Sequence, residues 1–77
     1  MENTNSNQRV RLRVECFPPC SKAQDLLDQL QESYLPWTDP ENRVHYDLLK
    51  YRALKTVEKF EREFPGFKFS VKTEYAS

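Results

Sequence analysis

Glycine is nearly missing from this chain: Gly66 is the single example in 77 residues. Loops that cradle phosphate use glycine to let backbone amides approach the ligand, and a lone glycine cannot build one. Nucleotide-dependent enzymes of that design are thereby excluded. Histidine is as scarce, with His45 alone, and no serine has a histidine and an acid at recognisable spacing. No apolar run approaches the roughly 18 residues that a membrane-spanning helix requires. The opening MENTNSNQ lacks the basic start and apolar middle of a secretory signal, so a cytoplasmic protein with reduced thiols and no membrane attachment is expected. Net charge is missing too: 12 Lys plus Arg balance 12 Asp plus Glu. The whole-molecule field therefore offers no general attraction to nucleic acid or to an anionic membrane.

What is present describes a folded object. The chain is 38% hydrophobic and 31% charged, with five Phe, four Tyr and one Trp, which is the make-up of a globular domain and not of a disordered segment. Its length leaves room for one small domain, expected over residues 9–77, with 1–8 as a flexible polar tail. Domains this small bury only ~60% of their unfolded surface, so association or a crosslink would add needed stability.

From Arg9 the sequence alternates, with Val10, Leu12, Val14 and Cys16 on one side and Arg9, Arg11, Arg13 and Glu15 on the other, as in a half-buried strand. Pro18-Pro19 ends it, because proline has no amide hydrogen for a ladder. Ser21 and Gln24 have the spacing of a capping box, and Ala23, Leu26, Leu27, Leu30 and Tyr34 then trace one helical stripe. Asp39-Pro40 gives a second helix-start signal, followed by Tyr46, Leu49, Ala53, Val57, Phe60 and Phe64 at helical spacing. Val44, Leu48 and Tyr51 widen that stripe over its first half, which implies two partners for this helix. Pro65-Gly66 stops it, and Gly66 suits a left-handed residue. Alternation returns in FKFSVKTEY, with Phe67, Phe69, Val71, Thr73 and Tyr75 on one face. The expected fold class is α+β: strand-helix-helix-strand, a two-stranded antiparallel sheet packed on a helical hairpin. Two strands make a poor sheet, and a symmetric dimer joining two ribbons edge to edge would extend it.

The stretch with most chemistry is VECFPPCSKAQDLL, Val14 to Leu27. Cys16 has inward parity on the strand and reads as a small buried residue. Cys20 stands just ahead of a helix, where amide dipoles favour a thiolate. The run from Cys20 to Leu27 resembles the segment following the second active-site cysteine in glutaredoxins, where a strand, a proline-containing Cys-x-x-Cys turn and a helix with Lys-Ala and Leu-Leu come in that order. The resemblance implies a thiol redox protein using Cys20, with Cys16 as its partner. It covers roughly fourteen residues. Phe17 stands where that family carries its attacking cysteine, Cys16 comes one residue too early, and no paired glycines follow.

Two cysteines and His45 fall short of a tetrahedral zinc set, so neither a metal nor a cofactor is expected. Asp25, Asp28 and Glu32 line a helix face in the manner of a solvated surface. Arg9, Arg11, Arg13, Lys68 and Lys72 share the outward strand face, which could contact phosphates, but that face has no interleaved aromatics for base stacking. Tyr34, Leu35 and Trp37, with Val44, Leu48 and Tyr51, form an apolar cluster that either closes the core or contacts another protein. The leading expectation is a small non-catalytic protein-binding or regulatory module, acting through a partner protein or a second copy of itself. The alternatives are the thiol redox protein and nucleic-acid binding through the basic strand face.

Overall fold

A computed structural model describes residues 8–76 of the chain. The order is β1 (Val10–Phe17), α1 (Ser21–Tyr34), α2 (Arg43–Glu63) and β2 (Lys68–Tyr75). The two strands pair antiparallel, with Val10 opposite Tyr75, Leu12 opposite Thr73, Val14 opposite Val71 and Cys16 opposite Phe69. This is the strand-helix-helix-strand α+β arrangement that the alternation and the helical spacing imply. Of the expected polar tail, residues 1–7 lie outside the described residues.

The core joins Leu12 and Val14 of β1 to Ala23 and Leu27 of α1, Leu49, Ala53 and Phe60 of α2, Phe69 of β2, and Leu35. Phe60 anchors its far end, with ring centroids 5.8 Å from Phe64 and 5.6 Å from Phe69. The helices cover the sheet unevenly. Val10, Leu12 and Val14 on β1 are buried, whereas on β2 only Phe69 is, and Val71, Thr73 and Tyr75 are exposed.

Both helix starts differ from expectation. No capping box forms at Ser21: the cap position is Cys20, no side chain bonds the free amides there, and Gln24 instead donates to Asp28 at 3.1 Å. Asp39 caps a turn and not the helix, accepting from the Glu41 amide at 2.9 Å through its side chain and from Asn42 at 3.0 Å through its carbonyl. The cap of α2 is Asn42, whose side chain accepts from the His45 amide at 3.2 Å. The cause lies in the preceding residue. Thr38, buried, exchanges two backbone hydrogen bonds with Val10 at 2.9 and 2.8 Å, which holds the chain extended against β1 just where Asp39 would otherwise open a helix. His45 steadies this stub, its Nδ1 lying 3.0 Å from the Thr38 hydroxyl.

The stripe on α1 is also rotated. Leu26 and Tyr34 are exposed, and Gln31 is buried in their stead. Its side-chain nitrogen donates to the carbonyls of Leu12 at 3.0 Å and Leu35 at 2.7 Å, so the donor it carries inward is satisfied. The end of α1 is held by Arg52, which donates to the Tyr34 carbonyl at 3.1 Å and stacks over the Tyr34 ring at 4.9 Å. At the end of α2, Gly66 takes φ +95°, the left-handed residue that Pro65-Gly66 implies.

Candidate functional site

The thiols sit at the strand-to-helix turn. Cys16 and Cys20, with Arg13, Glu15 and Gln24, line an open cleft of about 580 Å³. Both are free and half-buried. The Cys16 sulfur donates to the Pro18 carbonyl at 3.5 Å. Burial, and secondarily the neighbouring Cys20, push its thiol above the ordinary value, so it stays protonated at neutral pH and is a weak nucleophile. Among the described residues no group of three or more His, Cys, Asp or Glu side chains is placed to hold a metal ion.

The basic face is partly neutralised. Arg11 donates to Glu74 at 2.7 Å, and Arg13 to Asp28 at 3.3 Å. The Arg11 guanidinium also lies 4.6 Å from the Trp37 ring centroid, because the Thr38 bridge carries the loop across the β1 margin. Aromatics therefore reach this face, contrary to the sequence reading: Trp37 covers Arg11, and Phe17 ends β1 with the parity of the arginines. Arg9, Lys68 and Lys72 are exposed.

The apolar cluster separates into three environments. Leu35 belongs to the core and offers no surface. Tyr34 and Trp37 are flanked by Arg52 and Arg11 and keep about a third of their area exposed, 37% and 36%. Val44, Leu48 and Tyr51 recur along the side of α2 turned away from its buried Leu49, Ala53, Thr56 and Phe60. With Leu54 they are exposed at 84, 44, 58 and 58%.

A further surface was not singled out in the sequence. Between α2 and β2 an open cleft of about 310 Å³ is lined by Leu12, Tyr46, Lys50, Leu54, Val71 and Thr73. It follows from the uneven cover of the sheet, which strand alternation alone cannot reveal. Beside it runs the free edge of β2. Ala76 donates to the Arg9 carbonyl at 2.9 Å, and hydrogen-bonded pairs alternate along an antiparallel ladder, so Lys68, Ser70, Lys72 and Glu74 bond toward β1. The backbone groups of Phe69, Val71, Thr73 and Tyr75 then point away from it. Phe69 has a local partner: its amide donates to the Glu61 carboxylate at 3.3 Å.

Comparisons with protein-family models, with curated proteins and with solved structures give no match for this chain. The class its own geometry defines is a small α+β domain with a one-sided helical layer, and no helix among the described residues is long and apolar enough to cross a membrane.

Proposed function

We propose that this chain is a small protein-binding or regulatory module, without catalysis of its own, that acts by associating with a partner protein or with another copy of itself. The observation that carries this reading is the row Val44, Leu48, Tyr51 and Leu54 on α2, large apolar side chains left uncovered on a helix whose opposite face is fully engaged in the core. Contiguous exposed apolar surface of this kind marks association sites more often than it occurs idly, and an exposed Tyr supplies contact area at low entropic cost. The redox alternative takes Cys20 as the attacking thiol and Cys16 as the resolving one, and the raised Cys16 thiol weighs only against that second step. The pairing of Arg11 and Arg13 with acids weighs against phosphate binding on the strand face.

The test is Leu48→Glu and Tyr51→Ala, made singly. Both positions are surface, so each variant is expected to melt within about 0.5 kcal/mol of the parent chain while losing the protein that the parent retains from an extract of its native host. Stability lost in step with binding would assign the side chains to the core and overturn the reading.

A further inference from the structure

We infer that the free edge of β2 is a self-recognition site, at which a second copy of this chain pairs antiparallel about a two-fold axis through Thr73. The inference rests on the association reading above and names both the surface and the partner. Three observations carry it.

The first is which backbone groups are free. Glu61 occupies the Phe69 amide, and Ala76 bonds inward to Arg9, so among the described residues the stretch of the edge where neither amide nor carbonyl has a hydrogen-bond partner is Val71, Thr73 and Tyr75. A two-fold through Thr73 sets Thr73 against Thr73 of the second copy, and Val71 against its Tyr75. Every amide and carbonyl that points outward from these residues then has a partner, with the Glu61 contact left intact.

The second is charge. In this register Lys72 lies beside Glu74 of the second copy, and Glu74 beside its Lys72, on the sheet face opposite the helices. Moving the axis to Lys72 would set Lys72 against itself, and moving it to Val71 would require the Phe69 amide to leave Glu61. The segment Val71-Lys72-Thr73-Glu74-Tyr75 is thus complementary to its own reverse: a β-branched residue meets an aromatic one, a cation meets an anion, and a threonine meets a threonine. All three are favourable cross-strand pairs.

The third is the cleft. Val71 and Thr73 line the space between β2 and α2, and Tyr75, 66% exposed, is largely uncovered. Pairing brings the Tyr75 ring of the second copy to Val71 at the mouth of that cleft, near Leu54. The result is a four-stranded sheet with all helices on one face.

The edge is short, so the dimer is expected to be weak and concentration-dependent, and mass in solution is to be followed by sedimentation up to about 1 mM chain. Lys72→Glu and Glu74→Lys each place two like-charged pairs across the axis, and each alone is expected to raise the dimer Kd about tenfold or more. An equimolar mixture of the two variants restores opposite charges at both positions and is expected to re-form a mixed dimer with near-parental Kd. Thr73→Pro, which removes an outward amide but no bond to β1, gives a third disruption independent of charge. Melting curves establish that each variant is folded. A parent chain that stays monomeric at the highest concentration overturns the inference, as does a dimer indifferent to these substitutions or variants that do not rescue one another. None of these outcomes bears on the α2 row, because partner retention is read on Leu48 and Tyr51, which lie outside the edge.

Discussion

Gln31 shows how much one polar side chain can hold. It ties the outward carbonyl of Leu12 on β1 to the last turn of α1, and replacing it by alanine leaves two buried carbonyls with a lost donor. Gln31→Ala is expected to cost about 1–3 kcal/mol in chemical denaturation, well beyond an ordinary surface change. The apolar stripe read from the sequence left Gln31 out, although Ala23, Leu27 and Gln31 do recur every fourth position. The cue existed, but polarity outweighed it. Glu74 gives a pH test at the same scale. The hydrogen bond from Arg11, followed by the charges of Arg11, Arg13 and Lys72, holds its carboxyl below the usual carboxylate range despite some opposing desolvation. A depressed folded-state pKa stabilises above the unfolded value and ceases to do so as pH falls through the folded one. Melting temperatures of the parent chain and of Glu74→Gln, followed from about pH 6 to about pH 2, are expected to converge in acid. A gap that stays constant would show that the Arg11–Glu74 contact does not depend on ionisation.

Among the elements, the helices and strands were legible because hydrophobic period and proline punctuation agree along most of the chain. Their starts were not, because several polar residues can serve as caps and the choice falls to tertiary contacts. Asn42→Ala is expected to cost about 1 kcal/mol, as loss of the bond to the His45 amide, whereas Ser21→Ala should leave thermal stability nearly unchanged, since no cap hydrogen bond is made at that end. The reverse order would restore the capping box at Ser21. Strand β2 was correctly read as a strand with Phe69, Val71, Thr73 and Tyr75 on one face, yet alternation is a property of one strand and is silent on where the helices lie. In the fold, cover stops after Phe69.

For the molecule as a whole, balanced charge and a single-layer helical cover could be anticipated, while the division of the apolar cluster between core and surface could not. Leu35 and Val44 are both aliphatic and close in sequence, and one is 1% exposed, the other 84%. If β2 pairs with itself, unfolding is linked to association, and the melting temperature is expected to rise with chain concentration in the parent but not in Thr73→Pro. A flat dependence in both would separate the fold from any assembly.

The short segment at Thr38 has a consequence for how large an assembly could become. By clasping Val10 it stoppers one end of the opposite margin of the ribbon, and Gln31 seals the carbonyl of Leu12, while no hydrogen bond on that side is made by the backbone of Val14 or Cys16 among the described residues. A ribbon open on both sides can recruit copies without end and become a fibre, so each backbone group occupied on the β1 side leaves fewer places for a third copy to pair. Thr38 thereby narrows the room for growth at the start of β1, well away from the place where growth would begin.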